Sequence, residues 1–322
     1  MTRTTKIAAV LALALSAGLA LSAHAQQKTM AIGTGGTGGV YYPLGGAIAN
    51  VLSKNLPNVQ ATAEVTGGSV DNLKLIGTGQ SELGFSMADA ALDAYKGEDK
   101  FKSGKIPLQA LLVVYPNRMH VVTVESTGIK TMGDLKGKRV STGSPGGATE
   151  VMAFRVIEAA GLDKDKDMKR DRPGVAESVN AIKDRKIDAF FWVGGVPTAA
   201  VTDLAATPGM KIKFVDHSDL VEKMNAKYGK LYSASTIAKS IYPGMEKDNA
   251  NSEVWNIIVT GDKMSNDDAY NIVKTLVEKK ADIVAVHKEA ESFSLDNQIQ
   301  ARSPVPFHPG ALKYFKEKGI GG

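Results

Sequence analysis

From about residue 28, apolar and polar positions follow two rhythms that take turns along the chain. "TMAIGT", "VQATAEVT" and "ELGFSM" are short runs of strand length. Between and after them, "YYPLGGAIANVLSKN", "SVDNLKLIGTG" and "ADAALDAYKG" place apolar residues at the three- and four-residue spacing of a helix with one buried stripe. Strand and helix alternating at these lengths predict a parallel sheet with crossover helices. After "LLVVYPNRMHVVTVES" the rhythm restarts. "KRVSTGSPGGATEVMAFRVIEAAGL" again reads as strand, glycine-rich loop and helix, with Ala148, Val151, Met152 and Ile157 on one stripe. "SVDNLKLIGTGQSELGF" also finds a counterpart in "SVNAIKDRKIDAFF". Each predicts a helix that begins at its serine, Ser69 or Ser178, and a strand that ends at Phe85 or Phe191.

Two similar α/β halves predict a cleft between them, with ligands gathered beyond the carboxyl ends of the strands. From about Trp255 a strand "VWNIIVTGDK", a long helical stretch "NDDAYNIVKTLVEKKADIVAVHKEAESF" and a last helix "PGALKYFKEKG" follow. These need a sheet to cover, so the chain is expected to return to the first half. Residues 26–122 and 256–322 would form lobe I and residues 123–255 lobe II, with crossings near "HVVTVES" and "VWNIIVT".

The start of the chain changes the picture of where this happens. Arg3 and Lys6 precede the apolar run "IAAVLALALSAGLALS" and the A-x-A pattern at Ala23, His24 and Ala25. That pattern predicts a secretory signal peptide over residues 1–25, cleaved after Ala25, and a periplasmic location. Cleavage leaves roughly 300 residues, more comfortable as two domains than as one. It also removes Arg3 and Lys6, lowering the formal charge from +5 to +3. So small a surplus, spread in mixed runs such as "GLDKDKDMKRDR", gives no footprint for nucleic acid. With no cysteine in the chain there is no disulfide framework and no thiolate metal site.

The densest candidate chemistry is "AIGTGGTGGVYYPLGG", which satisfies G-x-G-x-x-G at Gly33, Gly35 and Gly38. Glu64 stands roughly where a dinucleotide fold needs its acidic residue. Export argues against a nicotinamide cofactor, and a phosphate loop fails because Gly39 and Val40 stand where lysine and a hydroxyl are required. Neither "TGSPGG" nor "GGSVD" forms a nucleophile elbow. His120, His217, His287 and His308 form no metal-binding pair. What the glycine-rich loops do carry is hydroxyls: Thr34 and Thr37 in the first, and Ser141, Thr142, Ser144 and Thr149 in the second, with Ser69 and Ser86 at comparable strand ends. Hydroxyls and main-chain amides at helix N-termini satisfy an anion without any basic side chain. No metal or cofactor is called for. Of Tyr41 and Tyr42, adjacent on a helix, one is expected to wall the pocket and the other to pack in the core.

"IGTGGTGGVYYPLGGAIANVLSK", "GFSMADAA", "DLKGKRVSTGSPGGATE", "IDAFFWVGGVPTAAV" and "PFHPGALKYFKEKG" resemble, in order along the mature chain, the TAXI family. These are solute receptors of tripartite ATP-independent periplasmic (TRAP) transporters. The resemblance implies a type II periplasmic-binding-protein-like α/β fold, each lobe a mostly parallel sheet flanked by helices. It also implies a non-catalytic monomer that closes on a small anionic solute, such as glutamate or 2-oxoglutarate, and delivers it to a TRAP membrane permease. Carried over by position, the pocket would draw on Gly36, Thr37, Tyr42, Ser69, Asn72, Ser86 and Asp89 from the first lobe. The second lobe would supply Ser144, Gly147, Ala148, Thr149, Trp192, Gly194 and Pro197. Trp192 stands where the family often has a smaller residue. Arg118 and Arg155 are further candidates to pair with a ligand. The alternative is an exported enzyme on the same scaffold, for which Asp89 and Glu150 are the nearest acids.

Overall fold

The computed structural model describes residues 27–320; the expected signal peptide, residues 1–25, lies outside them. The first half is built from β1 (Lys28–Gly33), α1 (Tyr41–Asn55), β2 (Val59–Glu64), α2 (Ser69–Thr78), β3 (Leu83–Met87) and α3 (Ala88–Lys96). Helix α1 forms because Leu44, Ile48, Val51 and Leu52 fall on one face and bury it against the sheet. Helix α2 buries Val70, Leu73 and Ile76 and stops at Gly79, whose φ of +73° suits a residue without a side chain.

A long strand, β4 (Leu108–Val124), carries the chain into the second half. There β5 (Arg139–Ser141), α4 (Ala148–Ala159), β6 (Lys169–Asp171), α5 (Val175–Lys183) and β7 (Ala189–Gly194) repeat the order of the first. They are followed by α6 (Ala199–Ala205), β8 (Ile212–Phe214), α7 (Val221–Tyr228) and β9 (Tyr232–Ile237). A second long strand, β10 (Asn249–Gly261), returns the chain, and α8 (Asn266–Glu278), α9 (Lys280–Val284) and α10 (Pro309–Glu317) complete it.

The ten strands form one continuous sheet in the order β2-β1-β3-β10-β4-β7-β5-β6, with β8 on β4 and β9 on β10. In each half three parallel strands end on an antiparallel partner: β3 pairs with β10, and β7 pairs with β4. Strand β4 pairs with β10 from Leu108 to Arg118 and with β7 from Arg118 to Thr123. It therefore changes partner strands at Arg118. The architecture is that of a type II periplasmic binding protein.

Three local expectations are corrected. Helix α5 starts at Val175, three residues before Ser178, because Gly174 caps it and buried Val175 already belongs to its apolar face. Ser178 instead shares a hydrogen bond with Ser141 at 2.8 Å. Phe85 and Phe191 lie inside their strands, where both are buried, and not at the ends. The stretch from Asn266 to Phe293 is broken, since α8 ends at Lys279 (φ −104°, ψ 19°) and a separate 3-10 turn covers Lys288–Ser292.

Candidate functional site

Four strand-to-helix connections, leading into α1, α2, α4 and α5, open on one cavity of about 340 Å³ between the two halves. The N-cap residues of these helices are Val40, Gly68, Gly147 and Gly174, and none supplies a side-chain cap. Each helix start therefore presents first-turn N–H groups with no side-chain acceptor and a partial positive charge, both suited to an anion. Two hydroxyls stand at these starts. Ser69 Oγ accepts from the Met87 N–H (3.1 Å), and Thr149 Oγ1 accepts from the Val193 N–H (3.3 Å). Ser69 Oγ also lies beside the Tyr41 hydroxyl, which can accept its proton, while the Thr149 proton is left for a guest.

Among the described residues, no lysine, arginine or histidine lines this cavity, and Glu177, which is exposed, is its one carboxylate. The walls are largely apolar and aromatic, with Val65, Met87, Tyr41, Tyr115 and Trp192. Burial pushes the phenols of Tyr41 and Tyr115 well above their ordinary range, so both stay neutral.

Of the residues expected at the pocket, Gly36, Thr37 and Ser69 line it from the first half. Ser144, Gly147, Ala148 and Thr149 line it from the approach to α4, and Trp192 and Gly194 from β7. Trp192 points inward: its indole N–H donates to Thr198 (2.9 Å), and its ring lies so close to Gly39 that a Cβ there would sit 3.0 Å away.

The others lie elsewhere. Tyr42 is 36% exposed, and its neighbour Tyr41 faces the cavity instead, as a rotation of about 100° per helical residue requires. Tyr41 stacks on Phe85 and donates to Asn256 Oδ1 (2.5 Å). Asn72 is consumed by the scaffold: its amide donates to the carbonyls of Thr34 (2.7 Å) and Phe85 (2.8 Å), tying strand ends together beneath the loops. Ser86 is buried and donates to the Met87 carbonyl (2.9 Å). The Pro197 carbonyl accepts from His287 Nε2 (3.2 Å), whose Nδ1 is occupied by the Glu289 N–H.

The charged candidates are likewise paired away from the cavity. Arg155 bonds Asp93 (2.5 Å), Asp89 (3.4 Å) and Tyr232 (2.7 Å) in a buried cluster that joins α4 to α3. Glu150 is held by Lys100, Arg170 and Arg172, and Arg118 by Glu289. Neither acid named for the enzyme alternative reaches the cavity. The sequence reading missed Tyr115 and Asn117, which β4 contributes to the cavity from its middle. The signal available was "YPN", a proline and an asparagine interrupting a long apolar run.

The two halves touch directly around the cavity. The Asp71 N–H donates to the Gly146 carbonyl (3.0 Å), Ser144 Oγ donates to the Gly67 carbonyl (3.0 Å), and the Ala200 N–H donates to the Gly38 carbonyl (3.3 Å). Main-chain groups meet here because glycines on both sides carry no Cβ; one added to Gly147 would lie 2.8 Å from the Gly67 oxygen.

The fold is shared with solved binding proteins. The chain is 14% identical to the alkanesulfonate-binding protein SsuA from Xanthomonas axonopodis pv. citri bound to MOPS, over 91% of each chain, at a TM-score of 0.50. It is 16% identical to a putative L-cystine ABC transporter protein from Listeria monocytogenes, over 83% of this chain and 95% of that one, at a TM-score of 0.50. At such identities the likeness is one of fold. A family model described as NMT1-like matches residues 32–319, nearly the whole described length, and the chain belongs to the NMT1-like family.

Proposed function

We propose that this protein is a periplasmic solute receptor that captures a small carboxylate by closure of two lobes and hands it to a TRAP-type membrane permease. The observation that carries the reading is the convergence of four helix N-termini without side-chain caps, with the Ser69 and Thr149 hydroxyls, on a cavity that, among the described residues, no basic side chain lines. A carboxylate held there by amides and hydroxyls needs no counter-ion, because preorganised donors replace its hydration. Closure follows from ligand contacts made to both halves at once, which favour the closed arrangement over the open one. The permease partner and periplasmic location rest on the TAXI resemblance and the export signal, as does the expectation of a monomer. Glutamate and 2-oxoglutarate set the size of solute that the resemblance implies.

Thermal-shift and calorimetric screens of the protein from Gln26 onward, against carboxylates, neutral solutes and cations, test this. Carboxylates are expected to raise the melting temperature. A response confined to neutral or cationic solutes would sink the proposal. For a carboxylate that binds, Ser69→Ala and Thr149→Ala are each expected to weaken affinity by about 1–3 kcal/mol, the cost of removing a donor from a buried charged group. Unchanged affinity in both variants would place the ligand elsewhere.

A further inference from the structure

Two residues of the cavity lining each carry a buried polar atom without a hydrogen-bond partner among the described residues. Tyr115 and Asn117 both line it and are 0% and 2% exposed, yet the Tyr115 hydroxyl and Asn117 Oδ1 make no hydrogen bond. Buried polar groups are almost always satisfied, so an unpaired pair at a cavity wall marks where a guest completes the bonding.

The surrounding network fixes what Asn117 demands. Asn256 Nδ2 donates to the Tyr115 carbonyl (2.9 Å), which makes Asn256 Oδ1 the acceptor of that side chain. This oxygen accepts from both Tyr41 Oη (2.5 Å) and Asn117 Nδ2 (2.9 Å). Asn117 is thereby oriented with one N–H of its amide bonded to Asn256 and its carbonyl oxygen free. That oxygen accepts only; a carboxylate or a ketone brought against it would set acceptor on acceptor. The guest must bring an O–H or N–H. An ammonium would supply one, but among the described residues the sole carboxylate on the lining is the exposed Glu177, and Asp89 and Glu289 behind that lining are already paired with Arg155 and Arg118, so a cation at Asn117 would be buried without a carboxylate of its own. A hydroxyl carries no such cost. Tyr41, Tyr115, Trp192 and Met87 on the lining suit an apolar or aromatic body better than a second carboxylate.

We infer that the solute is a hydroxylated monocarboxylate with an apolar or aromatic body, its carboxylate at the helix N-termini and its hydroxyl between Asn117 Oδ1 and the Tyr115 hydroxyl. The inference rests on the carboxylate reading above and narrows it: dicarboxylates, 2-oxo acids and zwitterionic amino acids are disfavoured.

The test is calorimetric titration with a set that shares one skeleton: 3-phenyllactate, 3-phenylpropanoate, phenylpyruvate and phenylalanine. A parallel set has the 4-methylpentanoate skeleton with 2-hydroxyl, 3-hydroxyl, 2-oxo and 2-amino groups. In at least one set a hydroxy acid is expected to bind ten-fold or more tighter than its deoxy, oxo and amino counterparts. Tyr115→Phe is expected to erase at least five-fold of that preference without lowering the melting temperature, because the hydroxyl it removes bonds nothing in the free protein. If the deoxy, oxo or amino acids bind as well as the hydroxy acid, or if no member of either set binds, the inference is overturned. In the first case the carboxylate reading stands. It falls too only when glutamate, 2-oxoglutarate and other carboxylates also fail while neutral or cationic solutes bind.

Discussion

Gly147→Val is expected to lower affinity for any carboxylate that the unaltered protein binds by at least about 100-fold, while changing the stability of the ligand-free protein by less than about 1 kcal/mol. Gly147 has φ −99° and ψ 147°, a conformation open to every residue, and the nearest atoms a Cβ meets in its own half belong to Ser144, 3.0 Å to an Oγ that can rotate away and 3.4 Å to the carbonyl oxygen. What does not tolerate it is the approach of the other half. A Cβ at Gly147 would lie 2.8 Å from the Gly67 carbonyl oxygen, which is main chain and has no rotamer into which to retreat. Under the closure proposed above, the side chain acts as a doorstop against the closed arrangement and leaves an open one untouched. Only the closed state makes both sets of contacts, so losing it removes most of the binding free energy; 100-fold is about 2.7 kcal/mol. Titration calorimetry reads the affinity and small-angle X-ray scattering reads the closure. A variant that still contracts on adding ligand would show that the halves meet differently.

Arg155→Met is expected to cost about 3–5 kcal/mol near neutral pH, the range for removing one partner of a buried ion pair. The arginine is the sole cation touching Asp89 and Asp93 among the described residues, and its loss strands two buried carboxylates. Even with it present, one positive charge serves two acids. Burial, partly offset by Arg155 and reinforced by the charge of Asp89, pushes the Asp93 carboxyl up to about 6, and burial raises Asp89 as well. A carboxyl whose folded pKa is raised contributes stability that is complete below its unfolded pKa of about 4 and is lost as pH rises through the folded value. For Asp93 that window runs from about pH 4 to just above pH 6. Asp93→Asn, which resembles the protonated acid, should therefore match the parent protein at pH 4 and exceed it at pH 8. The difference is expected to be about 1–2 kcal/mol after allowing for solvent screening. The Arg155→Met penalty should shrink at pH 4 to 5, where both acids take up protons. Urea melts at the two pH values measure both effects, and a pH-independent penalty would show that packing and not charge dominates the cluster.

How far the sequence disclosed all this varied with the kind of interaction. Helix α1 and strand β2 could be read from their periodicity because each has one buried face, and period is what a single buried face writes into a sequence. Strands β4 and β10 were harder. Their middles are buried on both faces, so nothing in an apolar run from Leu108 to Tyr115 marks where one half of the molecule gives way to the other. At the site, the glycine loops were visible because they are local. The consumption of Asn72, Ser86 and Asp89 by neighbours was not, since a polar side chain near the end of a strand or the start of a helix looks the same in sequence whether it faces a ligand or another group of the protein. The wall contributed by Tyr115 and Asn117 comes from a strand roughly 75 residues from the first loop, beyond the reach of any motif.

The place of β10 in the sheet bears on the order in which the molecule can be made. It lies between β3 and β4, so the half containing the N-terminal strands has a gap at its centre until residues 249–261 leave the ribosome. Its outer layer waits longer still, for α8 and α10. The half that is synthesised first is thus completed last. Through most of translation the half made first has no finished sheet on which to collapse, and its unpaired strand edges stay open to wrong partners until β10 arrives.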